Sequence, residues 1–415
     1  VHSAIVVTGS ELIRGDRHDR NGPFLAQSLV RLGLEPDELL IVGDEPGALA
    51  EALTAGLRHE LLVVTGGLGP THDDRTVELL AAAAGVPLEL DTALQAQIEA
   101  LSRAFAERAR RPYADFEAGV RKQATIPRGA RIVGLAGTAP ALLLETGGCV
   151  AVTLPGPPRE LQELWPRVVE LEPFRRLLEQ VAPRSRRVLR LYGVGESAVA
   201  QELARAGGER DGVEVTICAR DFEIHVDLLV TPGAEPAADE LEQAFSAPLR
   251  AYLFTRDERS IEELLLDACR TAGLTLATAE SCTGGLVAAA LTAVPGASEV
   301  FLGATVAYAN AAKETQLGVP AELLNRFGAV SAEVAEAMAE GARQRFAADV
   351  AVAVTGVAGP GGGTPEKPVG LVHLCAAGPD GKLDAALQLP GDRETVRGRA
   401  TVAALHLAHR LVAKR

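Results

Sequence analysis

LTLATAESCTGGLVAAALTAV, residues 274–294, decides the fold class of its part of the chain. The apolar run to Ala277 reads as a buried strand. Gly284 and Gly285 make a turn, and the Ala- and Leu-rich stretch up to Val294 reads as a helix stopped by Pro295. Strand, glycine turn and helix in succession form the repeating unit of a sheet covered by helices. The flanks repeat the pattern. A helix over 261–272 precedes the stretch, and a strand over 300–308, a long helix over 330–346 and a buried strand over 350–354 follow it. Two runs around the turn Pro379-Asp380-Gly381 read as paired strands, and 393–412 as a last helix. Residues 258–415 are thus expected to form one α/β domain.

The same alternation governs residues 1–175, from a first strand at Ala4–Val7 to a hairpin across Gly147-Gly148. Between them, 183–255 mixes strands and helices without regular spacing and reads as a small α+β module. A chain of 415 residues is too long for one core. Apolar residues at 47% and aromatics at only 4% mean aliphatic strands and Ala-rich helices. A net charge of −14 argues against a general nucleic-acid binder. Arg175 to Arg190 is the one basic stretch of note, and it reads as a solvated linker and strand edge. Cys149, Cys218, Cys269, Cys282 and Cys375 lie too far apart for a zinc or dithiol motif, which suits a reducing cytoplasm. Cys149, Cys218 and Cys375 read as buried small hydrophobes. The opening VHSAIVVTGS reads as a core strand, and no apolar run nears the ~20 residues of a membrane span.

Three segments in the last region fall at strand ends, where open α/β sheets place their sites. Ser281 stands just before a helix start, whose unpaired N–H groups suit an oxyanion or phosphate. Thr283, Gly284 and Gly285 line the approach. In YANAAK, residues 308–313, Asn310 reads as the N-cap, which puts Lys313 in the first turn, a position that electrostatics does not favour for a cation. The third segment is the glycine-rich loop from Thr355 through Gly356, Ala358 and Gly359. Each segment alone also fits an ordinary cap, surface lysine or connection. Together they supply a hydroxyl, an amine, a phenol and backbone donors, enough for acyl transfer. A serine needs a base, and a lysine serves only when neutral. Cys282 is a competing nucleophile, ranked below Ser281.

In the first region TGGLGPTHDD, residues 65–74, follows a buried strand. Gly66, Gly67, Gly69 and Thr71 suit phosphates. Ser10, Glu11 and Asn21 share that sheet edge, and Pro155 and Gly156 close it. Asp16, Asp73 and Asp74 are candidate ligands for a divalent metal, magnesium by preference, with helix capping the competing reading for the Asp pair. His72 reads as exposed.

ESCTGG, YANAAK and VTGVAGPGGGTPEKPVG, in this order and spacing, resemble the C-terminal domain of the competence/damage-inducible protein A (CinA) family, which also occurs alone as nicotinamide-nucleotide amidase. The resemblance implies hydrolysis of nicotinamide mononucleotide to nicotinate mononucleotide and ammonia without a cofactor. Ser281 would be the nucleophile, Lys313 and Tyr308 the proton-transfer partners, and the glycine loop the nucleotide cradle, with Asn310 beside it. TGGLGPTHDD with LPGPPRE resembles the doubly wound, MoCF-like molybdopterin-binding domain of the same family. There it implies a metal-dependent ADP-ribose pyrophosphatase. Residues 183–255, with YGVGES, resemble the family's KH-like spacer and a homodimer element. A competence- or damage-linked adaptor without catalysis, and a molybdopterin-binding protein, are the alternatives.

Overall fold

The computed structural model describes residues 1–413 and divides them into two compact units. One comprises 1–186 with 229–236, and the other 187–228 with the chain from 237 onward. The middle region thus falls largely into the same unit as the C-terminal region.

The first unit is built on a six-stranded sheet. Ser3–Thr8 pairs in parallel with Glu38–Val42 on one side and Leu61–Thr65 on the other. Cys149–Leu154 continues the sheet in parallel beside Leu61–Thr65. Pro140–Thr146 and Arg131–Leu135 finish it in antiparallel fashion, which the hairpin at Gly147-Gly148 requires. The inner parallel strands Ser3–Thr8, Leu61–Thr65 and Cys149–Leu154 are buried along their whole length because helices cover both faces. The tight turn after Leu61–Thr65 demands glycine. Gly66 has φ +99°, and a Cβ there would stand 2.3 Å from the Thr8 carbonyl oxygen.

In the second unit the C-terminal sheet has five strands. Leu276–Glu280 lies between Phe301–Val306 and Val350–Gly356, parallel to both. Leu371–Gly378 and Gly381–Gln388 extend it antiparallel. The helices Ile261–Ala272 and Arg393–Val412 cover one face, and Ala332–Phe346 packs on the other. Ile261–Ala272 opens on a capping box of Ser260 and Glu263 and closes at Gly273 in the left-handed conformation. The four strands of the middle region form their own sheet. From it Tyr192 stacks on the His406 ring at 3.8 Å, Phe254 meets the ring edge-on at 4.6 Å, and Glu223 Oε1 lies 2.6 Å from His406 Nε2.

Two expectations need correction. Cys218 is exposed, because its strand Val213–Arg220 is the edge of the middle sheet and buries only alternate residues. The Arg175–Arg190 stretch is a connection only over 179–184; it begins in the helix Glu172–Leu178 and ends in the strand Ser185–Tyr192, which lies inside its sheet and not at an edge. Its arginines meet carboxylates, Arg176 with Glu145, Arg187 with Asp239 and buried Arg190 with Asp227. Among the described residues no helix is long and apolar enough to cross a membrane.

Candidate active site

Because Leu276–Glu280, Phe301–Val306 and Val350–Gly356 run parallel, their C-terminal ends open on one edge of the sheet. Ser281 follows the first, Tyr308 the second, and the glycine loop the third. Lys313 lies one turn into the helix Asn310–Leu317, and that turn carries its side chain back under the strand ends.

The outcome is a buried amine against a hydroxyl. Lys313 is 1% exposed, and its Nζ lies 3.0 Å from Ser281 Oγ. It also donates to the carbonyl oxygens of Ala307 at 2.9 Å and Tyr308 at 3.4 Å. No carboxylate pairs with it among the described residues. Burial holds its pKa below the ordinary 10.5, with Cys282 opposing weakly. A neutral amine has two N–H groups and one lone pair. In that state it would donate to the two carbonyls and turn its lone pair to the Ser281 hydroxyl. Burial pushes the Cys282 thiol up to about 11, so it stays protonated and is a poor nucleophile at neutral pH.

The helix start beyond Ser281 differs from expectation. The N–H groups of Gly285, Val287 and Ala288 are not open to a ligand. Glu280, fully buried, accepts from Gly285 N at 2.9 Å, Val287 N at 3.1 Å and Ala288 N at 2.8 Å. A carboxylate from the strand end therefore caps the helix Leu286–Thr292. The cap of the lysine helix is Ala309, not Asn310, so Asn310 is an exposed first-turn residue.

The phenol of Tyr308 also departs from the expected relay. It is 59% exposed, and its hydroxyl accepts from Arg393 Nη2 at 2.7 Å. Its main-chain carbonyl, not its ring, meets the lysine. Arg393 Nη1 holds the Gly359 carbonyl at 2.7 Å, joining the glycine loop to Tyr308. Arg397, one turn on, donates to the carbonyls of Cys282 at 3.1 Å and Thr283 at 2.8 Å. Thr355 turns its hydroxyl onto Ala329 O at 2.7 Å and so shapes the loop. Gly356, Ala358 and Gly359 form the loop backbone, while Gly284 is exposed and Gly285 half-buried at the opposite wall. The hydroxyl of Thr283 is buried without a partner.

In the first unit a cleft of about 400 Å³ lies over Gly67, Leu68 and Gly69, with Asp74, Arg121 and Lys122 in its wall. Asn21 Nδ2 bonds Gly156 O at 2.7 Å and Thr65 Oγ1 at 3.1 Å, and Thr65 reaches Pro155 O at 2.9 Å. These bonds tie the two predicted loops together. Ser10 exchanges bonds with Asp44, its N–H donating to the carboxylate at 2.8 Å and its Oγ accepting at 3.1 Å, while Glu11 is exposed beside it. Asp73 and Asp74 fold back on Thr71, whose hydroxyl donates to both. They do not cap the next helix, whose N-cap is Arg75 without a side-chain bond. Asp16 does not join them: among the described residues no three His, Cys, Asp or Glu groups are placed to hold a metal. His72 is exposed as expected.

The fold and the serine–lysine pair define a two-unit α/β protein with one strand-end site in each unit. Residues 258–412 match the CinA C-terminal domain, and residues 4–175 match the family described as "Probable molybdopterin binding domain". A CinA-like protein from Mycobacterium sp. (strain JLS) is 42% identical over 417 residues, covering 98% of each chain. One from Mycobacterium tuberculosis (strain ATCC 25177 / H37Ra) is 40% identical over 98% of this chain and 96% of its own. A crystal structure of competence/damage inducible protein CihA from Agrobacterium tumefaciens is 44% identical, covers 39% of this chain and 98% of its own, and has a TM-score of 0.35. The chain belongs to the CinA family.

Proposed function

We propose that the C-terminal site is a serine–lysine amidohydrolase that converts nicotinamide mononucleotide and water to nicotinate mononucleotide and ammonia. One observation carries this reading: a buried lysine amine without a carboxylate partner, 3.0 Å from the hydroxyl of Ser281. Neutral Lys313 takes the Ser281 proton as Oγ bonds to the carboxamide carbon, and the carbonyl electron pair moves to oxygen. The tetrahedral adduct collapses, the C–N bond breaks, and Lys313 returns the proton to nitrogen, so ammonia leaves. Water, deprotonated by the same amine, then cleaves the acyl ester and frees Ser281. Tyr308 acts through its carbonyl on the amine. Its phenol and Arg393 form a rim against which the nucleotide lies.

The nicotinamide ring as substrate rests on the family resemblance, and the chemistry rests on the dyad. Incubating the purified protein with nicotinamide mononucleotide and measuring ammonia tests both. Release by the wild type and none by Ser281→Ala is expected, and a wild type that leaves the nucleotide intact would sink the reading.

For the first unit we propose a pyrophosphatase acting on ADP-ribose, supported by the cleft that sets Arg121 and Lys122 across from the Gly67–Gly69 backbone. The residues present fit a magnesium ion that arrives on the diphosphate, held by Asp73 or Asp74, better than a resident one. Such an ion would neutralise phosphate charge.

A further inference from the structure

The last helix does more than hold the strand-end loops. Thr395, Gly398, Arg399 and Val402 share one face of Arg393–Val412 at helical spacing and border a cavity of about 640 Å³ within the second unit. The start of Ile261–Ala272 and the hairpin between Val213–Arg220 and Glu223–Val230 supply its other walls. His406 continues the same helix face one turn on, and there Tyr192, Phe254 and Glu223 hold the middle sheet against the helix. The walls are thus fixed before anything enters, and the volume lies in the range of small-molecule sites.

Two features keep this space open against local preference. Gly398 stands inside a 20-residue helix, where glycine is disfavoured, yet a Cβ there would meet nothing within 4 Å. Packing does not call for glycine at this position, and a long side chain there would fill the cavity. The two-residue hairpin turn is Asp221-Phe222, left-handed at φ +51° and +69°, where Asn-Gly or Asp-Gly is the favoured pair. Phe222 is held there 38% exposed, edge-to-face with Tyr192 and with Arg399 Cζ 5.4 Å from its ring centroid.

The chemistry of the wall is specific. Arg220, Phe222 and Arg399 also border a neighbouring hollow, so they stand together on the partition between the two. Arg399 donates to Pro390 O at 2.6 Å and has no carboxylate partner among the described residues. Arg220 pairs with exposed Asp221 at 3.2 Å. Glu262 lines the cavity away from that partition, and its carboxylate has neither hydrogen bond nor ion pair among the described residues. Guanidinium groups suit a phosphate, an exposed ring suits a base, and a carboxylate accepts from a ribose hydroxyl.

We propose that this cavity binds a free nucleoside monophosphate, its base on Phe222, its phosphate at Arg399 and Arg220, and a ribose hydroxyl donating to Glu262. The site shares no residue with the Ser281–Lys313 pair and does not depend on the amidohydrolase reading. A nucleic-acid strand offers the same groups, and the net charge of −14 disfavours it.

The test titrates adenosine 5′-monophosphate calorimetrically into the full chain as wild type, Gly398→Leu, Arg399→Met, Phe222→Ala, Ser281→Ala and Lys122→Met, with thermal melts to verify folding. Wild type is expected to show a binding event that persists within about threefold in Ser281→Ala and Lys122→Met. Gly398→Leu replaces a poor helix former by a good one and fills the space, so it is expected to abolish that event in a protein at least as stable. Arg399→Met and Phe222→Ala are each expected to weaken it about tenfold or more. If Gly398→Leu does not fold, the Arg399 and Phe222 variants are read in its place. No binding at about 1 mM nucleotide, or wild-type affinity in Gly398→Leu or in both Arg399→Met and Phe222→Ala, overturns the site. Inorganic phosphate that binds as tightly as the nucleotide overturns the base contact. An oligoadenylate bound more than about tenfold tighter than the monophosphate assigns the site to nucleic acid and overturns the free ligand.

Discussion

Lys313 can serve as a base only in the fraction of molecules where it is neutral. With the ordinary pKa of 10.5, about 1 amine in 3,000 is neutral at pH 7, and each unit of depression raises that tenfold. Burial depresses it here, so ammonia release should rise with pH and level off at a midpoint below 10.5. Replacing the lysine by methionine keeps the volume of the slot and deletes the amine. General-base catalysis contributes roughly 10²–10⁴-fold, so a loss near 10³-fold, about 4 kcal/mol of barrier, is expected. Stability should change little. Two carbonyls and a hydroxyl lose a partner, but a buried amine and its desolvation cost also disappear. Serine and lysine acting as one unit should not be additive, so the Ser281→Ala, Lys313→Met double variant should be no slower than the slower single variant. Ammonia release across pH 6 to 10.5, with thermal melts alongside, is the assay. Lys313→Met activity within tenfold of wild type, or a double variant slower by the product of the single losses, would refute the dyad.

Other consequences can be measured directly. Glu280→Gln replaces a three-fold acceptor by an amide that presents an NH₂ to backbone donors, and should cost about 2–4 kcal/mol in denaturant melts. His406 is held below its ordinary pKa of 6.5 by burial, against the pull of Glu223. The folded state therefore resists its protonation, and stability should fall as pH drops below 6.5. Glu223, itself depressed below 4.5, adds to the loss further down. In urea melts from pH 7.5 to 5, His406→Gln, which does not titrate, should show a shallower slope. An unchanged slope would assign the acid sensitivity elsewhere. Gly66→Ala puts a Cβ 2.3 Å from Thr8 O at φ +99° and should destabilise the first unit by at least ~1–3 kcal/mol. Ammonia release at Ser281 should persist, and its loss would mean that the two sites are not independent.

The meeting of Ser281, Lys313 and the glycine loop was legible because each segment ends a buried apolar run, and parallel strands deliver such ends to one edge. Arg393 and Arg397 were not legible. They lie more than a hundred residues after Ser281 on an arginine-rich helix, where nothing local separates a structural arginine from a solvated one. Glu280 carried a signal that periodicity overlooks. A carboxylate closing a fully buried strand must find donors, and the nearest were the amides of the following helix. Tyr308 was misplaced because its strand stops at Val306, so the ring leaves the sheet while its carbonyl stays. Asp16, Asp73 and Asp74 share a side-chain chemistry but not a place: the pair folds onto Thr71, and no three such groups converge among the described residues.

The ring contacts of His406 bear on how pieces of this chain should be cut for expression. A fragment starting at residue 258 would omit Tyr192, Glu223 and Phe254, baring a flat imidazole on the outer face of its longest helix. Such a fragment would lose the stack, the edge contact and the carboxylate that hold this ring. Beginning the piece at residue 187 instead keeps all three partners.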